Sequence, residues 1–309
     1  MNYDLRQICA DVTGVAKEAG NLIRNAQPTA LTTKSKKNSL YFSRHGLTRP
    51  ADDRTAADIV TETDQAVEKL IRERLTARYP SFSFVGEESS KAGSEITNQP
   101  TFIVDPIDGT SNFVHGLPDV CVSIGLVIDR QPTVGVVYNP FHDELWSAVR
   151  GQGAFTSRHG SPMQRLPLVS EPSGGLTSAC IGIEWGSDRE GPDFDLNLHV
   201  FATLARTKAS GGRFVNSLRC TGSAAIAICR VAAGQQEAFW ECGCWAWDVA
   251  AAWCILVEAG GVMVDGHPNN WDPAIDNRRY LAVRPGEGQR EFVREFWSVV
   301  ESGMRPQHS

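Results

Sequence analysis

A chain of 309 residues that is 41% apolar is long enough to bury a large core, as one large domain or two closely joined halves. Thirty basic against 36 acidic residues leave a net charge of −6, which excludes the basic face of a nucleic-acid binder. No apolar run approaches the roughly 20 residues of a membrane span and the N-terminus lacks a signal-peptide pattern, so a soluble, cytoplasmic protein is expected.

From Leu5 to Ile23 the apolar positions Leu5, Ile8, Val12, Val15, Ala19 and Leu22 recur at helical spacing and predict a first amphipathic helix. The stretch from Gln27 to Ala57 then loses all periodicity and gathers charge, with Gly46 and Pro50 as breakers. It reads either as a functional flap or as a disordered insertion. A second amphipathic helix follows, with Thr61 and Thr63 as candidate caps and Asp64 in its first turn, where an acid also serves simply as a partner of the helix dipole. Phe82–Val85 reads as a strand that delivers Glu87 and Glu88 at its end. Two adjacent acids there are either solvated or ligands for a hard divalent cation.

The run from Thr101 to Phe113 carries the densest chemistry. Phe102-Ile103-Val104 predicts a buried strand that Pro106 stops directly after Asp105, and Ile107-Asp108-Gly109 has turn character. Such a corner aims the carboxylates of Asp105 and Asp108 at one point, where two like charges need a cation. Gly109-Thr110-Ser111 offers backbone N–H groups at a helix start, a place that holds anions. A plain strand-to-turn corner is the competing reading.

Three further strands are expected at Val120–Ile128, Thr133–Tyr138 and Glu144–Val149, and a Pro/Gly/Ser-rich connection over residues 157–175 marks a boundary between halves 1–156 and 157–309. The second half reads as a strand at Ser178–Trp185, a helix at Phe194–Ala209, and a helix at Ala224–Ala233 stopped by Gly234. A strand at Glu237–Glu241 and a helix opened by Trp247-Asp248, with Asp248 as N-cap, come next. Strands near Val262–Val264 and Tyr280–Val283 and a last helix with Phe292, Phe296 and Val300 finish the chain. Eight scattered cysteines read as free thiols of a reducing compartment. Cys242-Gly243-Cys244 has no paired Cys/His cluster and reads as packing rather than zinc binding.

Gly86-Glu87-Glu88-Ser89, Asp105-Pro106-Ile107-Asp108-Gly109-Thr110-Ser111-Asn112-Phe113 and Trp247-Asp248-Val249-Ala250-Ala251 followed by Glu258-Ala259-Gly260-Gly261 together resemble the inositol monophosphatase family of metal- and lithium-sensitive phosphatases. The resemblance runs from the first helix to about Arg284. It implies an alternating α-β-α-β-α layered fold of the α/β class in a single domain, a homodimer, and two or three Mg²⁺ ions. It implies that Glu87, Asp105 and the carbonyl of Ile107 hold one ion and that Asp105, Asp108 and Asp248 hold a second. Asp64 and Thr110 match positions that orient the attacking water, with Glu88 in support. Gly109, Thr110 and Ser111 match the phosphate-holding turn, while Gly222, Ser223, Ala224 and Glu241, with Asp108 and Asp248, match positions that meet the substrate. The implied reaction is hydrolysis of an inositol monophosphate, with sugar, histidinol, quinate-pathway or adenosine bisphosphates, or a non-catalytic regulatory role, as alternatives.

The physics of the residues agrees with a metal requirement. A phosphate monoester carries about two negative charges near neutral pH and is repelled by a carboxylate cluster unless divalent ions intervene. The chain departs from the family pattern at Ser111, where threonine is common. Lys36 and Lys37 also lie much farther from Asp64 than the family's flexible-loop lysine, because residues 38–57 resemble an insertion. No role is assigned to either lysine.

Overall fold

The computed structural model describes residues 3–26, 33–35, 59–91, 93–170, 174–186 and 188–304. In chain order the elements are α1 (Leu5–Asn25), β1 (Thr33–Ser35), β2 (Ile59–Thr61), α2 (Glu62–Arg78), β3 (Ser83–Gly86), β4 (Thr101–Asp108), α3 (Thr110–Val114), β5 (Cys121–Ile128), β6 (Gln131–Asn139), β7 (Glu144–Val149), β8 (Gly153–Arg158) and β9 (Gln164–Arg165). Then come β10 (Cys180–Ile183), α4 (Pro192–Ala205), β11 (Ser217–Arg219), α5 (Ala224–Ala232), β12 (Ala238–Cys242), α6 (Ala246–Glu258), β13 (Val262–Asp265), β14 (Arg279–Val283) and α7 (Gln289–Met304). The insertion expected at 38–57, with Lys36 and Lys37, lies outside the described residues; β1 and β2 pair antiparallel on either side of it.

Beside the two-stranded β1–β2 pair, two larger sheets and three helical layers alternate among the described residues. A seven-stranded sheet runs β3-β4-β5-β6-β7-β8-β9 and a five-stranded sheet runs β11-β10-β12-β14-β13. The stripe Ile8, Val12, Ala16, Ala19 and Ile23 of α1 packs with Val67, Ile71 and Leu75 of α2 on one face of the larger sheet. Helices α5 and α6 fill the middle layer, where Ile226, Ile255 and Leu256 meet Val137 and Trp146 of one sheet and Phe239 and Tyr280 of the other. Helices α4 and α7 close the far side through Val200, Leu204, Phe296 and Val300. The resulting α-β-α-β-α order is the layered fold expected from the resemblance, because each sheet has two apolar faces to cover.

Helix α6 approaches the larger sheet closely because β5 and β6 present Gly125 and Gly135 to it. A Cβ on Gly135 would stand 2.1 Å from the Ala251 carbonyl oxygen, and one on Gly125 would stand 3.0 Å from Ala250 Cβ. At the other end of α6, Glu258 accepts the N–H groups of Gly151, Gln152 and Gly153, pinning the β7–β8 turn.

Three expectations need correction. Pro106 does not end β4: the strand continues to Asp108, which pairs with Cys121 beyond a bulge between Asp105 and Asp108. The proline sits inside that bulge, where its nitrogen is not asked for a ladder bond. Strands β8, β9 and β11 were not expected at all. Strands β9 and β11 are only 2 and 3 residues long, and β8, at 6 residues, opens directly on the glycine cluster Gly151–Gly153 and runs into a polar stretch that reads as a connection, so local pattern gave little signal. Asp248 is not the N-cap of α6; Trp245 is, and Asp248 stands in the first turn with its Oδ2 accepting the Trp245 N–H at 2.6 Å.

Candidate active site

The site is built around the C-terminal end of β4. Strands β3 and β4 are parallel, with Gly86 opposite Val104, so their ends deliver Glu87 and Asp105 side by side. The Glu87 N–H donates to the Val104 carbonyl at 3.1 Å, and the Glu88 N–H donates to Oε2 of buried Glu68 at 2.7 Å. Asp105 is buried, and its Oδ1 accepts the Ile107 N–H at 3.0 Å, closing a turn over Pro106. Asp108, also buried, ends the same strand beyond the bulge, where it pairs with Cys121.

The next residues form a helix start. Gly109 takes the left-handed conformation, with φ 94°, and caps α3, whose first residues are Thr110 and Ser111. A side chain at 109 would stand 2.7 Å from the Asp119 carbonyl and 3.2 Å from the Gly222 carbonyl. Glycine is therefore required on both conformational and steric grounds. Thr110 Oγ1 lies 3.1 Å from Asp64 Oδ1 and 3.0 Å from the Ile107 carbonyl oxygen. Asp64, in the first turn of α2, is fully buried, so its role extends beyond a surface dipole partner.

Helices α5 and α6 enter from the middle layer with their N-termini toward this corner. Ser223 caps α5, its Oγ accepting the Ile226 N–H. The same hydroxyl donates to Asp108 Oδ2 at 2.7 Å, and the Ala225 N–H donates to that oxygen at 2.7 Å. Ser123, the β5 partner of Asp105, donates to the Trp247 carbonyl at 3.3 Å. This bond ties the start of α6, and hence Asp248, to the β4 corner. Glu241 comes from the end of β12.

The electrostatics agree with this placement. Burial and the charge of Glu87 push the Asp108 carboxyl up to about 6, against the bonds from Ser223 and Ala225 that favour its ionised form. Glu241 is pushed up by loss of hydration and by the charges of Glu184, Asp248 and Asp108. Carboxylates from β3, β4, α6 and β12 therefore share one region and repel one another, the arrangement that a multivalent cation relieves.

Among the described residues, no three His, Cys, Asp or Glu side chains stand as a ready-made group able to hold one ion. The carboxylates instead meet protein donors: Asp105 meets Ile107, Asp108 meets Ser223 and Ala225, and Asp248 meets Trp245. The proposed ligands are nonetheless hard oxygens, from carboxylates and the Ile107 carbonyl, a set that fits Mg²⁺ chemistry; the buried Cys121 thiol lies 3.8 Å from Asp108 Oδ2. The structure thus places Asp64, Glu87, Glu88, Asp105, Ile107, Asp108, Gly109, Thr110 and Ser111 at one end of the larger sheet and its flanking helix starts, Gly222, Ser223, Ala224 and Asp248 at the starts of α5 and α6, and Glu241 near the end of β12 in the smaller sheet. Two side chains that sequence reasoning left without a role also belong here. Asn112 donates to the carbonyls of Asp119 and Thr221, and Glu184 accepts the N–H groups of Thr221 and Gly222.

A five-layered α-β-α-β-α fold, with acids gathered where a strand end faces helix N-termini, defines a phosphate monoester hydrolase. Residues 4–301 match the model of the inositol monophosphatase family, and the chain belongs to that family. It is 46% identical over 256 residues to inositol monophosphatase 2 of Saccharomyces cerevisiae, covering 81% of this chain and 85% of that protein. It is 34% identical to quinic acid degradation cluster protein x of Neurospora crassa, covering 97% of this chain and 95% of that protein. The inositol monophosphatase structure from Anabaena superposes with a TM-score of 0.72 at 28% identity, over 99% of each chain.

Proposed function

We propose that this chain hydrolyses inositol monophosphates to inositol and phosphate with Mg²⁺ as the metal, two or three ions to each site. What supports the reading is the family match over residues 4–301, together with Asp105 and Asp108 at the end of β4 beside the Gly109 cap of α3 and the bond from Ser123 that ties the start of α6, which carries Asp248, to that strand end. Glu87, Asp105 and the Ile107 carbonyl would hold one ion, and Asp105, Asp108 and Asp248 a second. When bound, the ions offset the charge of the phosphate dianion and polarise the attacking water.

The chain's own residues do the rest. Backbone N–H groups at Gly109, Thr110 and Ser111 orient the phosphate. Thr110 Oγ1, set between Asp64 Oδ1 and the Ile107 carbonyl, orients the nucleophilic water, and Asp64 takes up its proton. Glu88 supports the Glu87 corner. Gly222, Ser223, Ala224 and Glu241, with Asp108 and Asp248, face the alcohol. Water attacks phosphorus in line with the leaving oxygen, the P–O bond to the alcohol breaks as the new one forms, and the departing alkoxide takes a proton from solvent to leave as the alcohol. No covalent phosphoenzyme is required.

Phosphate release from a panel of monoesters, with and without Mg²⁺, tests the assignment. Inositol monophosphates are expected to give the highest kcat/KM, and faster turnover of an adenosine bisphosphate overturns the choice. A quinate-pathway phosphate is the second reading, suggested by the likeness to a quinic acid degradation cluster protein, which at 34% identity stands below the 46% of the yeast inositol monophosphatase.

The family resemblance also supports a homodimer, a cytoplasmic location and inhibition by lithium. All eight cysteines are free thiols, in keeping with a reducing compartment. No helix among the described residues is long and apolar enough to cross a membrane. Light scattering of the purified chain reads the dimer directly, and titration with lithium against matched sodium reads the inhibition.

A further inference from the structure

Residues 220–223 carry the chain from β11 into α5 and include the turn proposed to face the alcohol. Its geometry is fixed from two sides. Strands β10 and β11 are parallel neighbours with Gly182 opposite Arg219, so Glu184, just beyond the end of β10, arrives beside Thr221 and Gly222. One oxygen of Glu184, Oε1, accepts both the Thr221 N–H at 2.5 Å and the Gly222 N–H at 2.8 Å. From the opposite side Asn112 Nδ2 donates to the Thr221 carbonyl at 2.9 Å and to the Asp119 carbonyl at 2.7 Å.

Gly222 is left-handed, with φ 74°, and a Cβ there would stand 2.9 Å from Asn112 Nδ2. The turn therefore has little freedom, and its next residue, Ser223, donates directly to Asp108. A shift of the turn moves Ser223 and Ala224 relative to the β4 corner. Glu184 also lies close enough to the site for its charge to act on Glu241.

We propose that Glu184 is a positioning residue for the alcohol subsite: by fixing the Thr221 and Gly222 N–H groups it sets Ser223 and Ala224 for a polyhydroxylated leaving group. The inference rests on the reading of residues 222–224 as the alcohol-facing turn. The hydrogen bonds of Glu184 go to the Thr221 and Gly222 N–H groups and not to Asp64, Thr110 or the Gly109 turn, so its removal is expected to act on recognition of the alcohol more than on the chemical step.

The test compares wild type with Glu184→Ala, Glu184→Asp and Glu184→Gln on two substrates in Mg²⁺. One is inositol 1-phosphate, and the other is 4-nitrophenyl phosphate, whose leaving group has no ring of hydroxyls to hold. Glu184→Ala is expected to raise KM for inositol 1-phosphate roughly 10-fold, the effect of losing about 1.4 kcal/mol of hydrogen bonding. Its kcat, and KM for 4-nitrophenyl phosphate, should stay within about 2-fold, a scale well below that tenfold change. Glu184→Gln should recover most of the loss, because an amide oxygen accepts both N–H groups. Glu184→Asp withdraws the carboxylate by one methylene and should behave like the alanine variant, so the result survives if Glu184→Ala does not fold. Equal changes on both substrates, or none on either, overturn the inference while leaving the site reading intact. A wild type inert on inositol 1-phosphate but active on 4-nitrophenyl phosphate overturns the site reading and the inference together.

Discussion

Thr110 Oγ1 lies 3.1 Å from Asp64 Oδ1 although the two residues are 46 positions apart, and the same hydroxyl reaches the Ile107 carbonyl at 3.0 Å. This bond ties the first turn of α2 to the first turn of α3 at the corner where the acids meet. Asp64→Asn and Thr110→Ala should each lower kcat by about 10²–10⁴-fold, the usual range for loss of a positioned proton acceptor. Thr110→Ser, which keeps the hydroxyl, should retain most of the rate. Steady-state kinetics at saturating Mg²⁺ read all three, and an unimpaired Asp64→Asn removes Asp64 from the chemistry.

Asp105→Asn keeps an oxygen able to accept the Ile107 N–H but removes the charge. The variant should therefore melt within a few degrees of wild type while losing Mg²⁺ affinity and turnover. Calorimetric titration with Mg²⁺ beside a thermal melt separates the two effects. Unchanged Mg²⁺ affinity places the ion elsewhere.

Gly135 is the point where α6 lies on the sheet. Gly135→Ala puts a methyl 2.1 Å from the Ala251 carbonyl oxygen, so the helix must retreat, and overpacking of this kind costs about 1–3 kcal/mol. Because α6 carries Asp248 in its first turn, Mg²⁺ affinity should fall together with Tm. The less crowded Gly109 acts locally: Gly109→Ala strains a residue with φ 94° and should abolish turnover with a smaller loss of Tm.

Burial raises the Glu184 carboxyl to about 7 from its ordinary 4.5, outweighing the Gly222 and Thr221 N–H groups that favour its charged form. Between those two values the native chain holds a proton at Glu184 that the unfolded chain has released. This group's contribution to stability therefore falls as pH rises through that window and levels off above it. A neutral glutamine has no such slope. The Tm of Glu184→Gln relative to wild type should accordingly climb from pH 5 to pH 8 in the absence of metal, and a flat difference refutes the shifted titration.

The helices were legible because their apolar stripes have a period the sequence displays: α1 was expected over Leu5–Ile23 and runs Leu5–Asn25. The β4 corner was legible as chemistry, since Asp105, Asp108 and Gly109 stand within five residues. Its backbone was not, because a proline reads as a stop unless a bulge excuses its nitrogen, and the bulge is set by pairing with β5. Strand β11 was invisible for a related reason: three residues acquire strand geometry only from their neighbour β10.

The sequence by itself determined which residue types were present and in what order: an acid-rich strand end, glycines where the backbone turns left-handed, and amphipathic helices to cover two sheets. Only the tertiary structure decided that Asp108 would receive Ser223 from 115 residues away, or that Glu184 and Asn112 would grip the same turn. Side-chain periodicity is a local property of the chain. The partner of a buried carboxylate is fixed by how separate layers stack, and no spacing along the sequence records it.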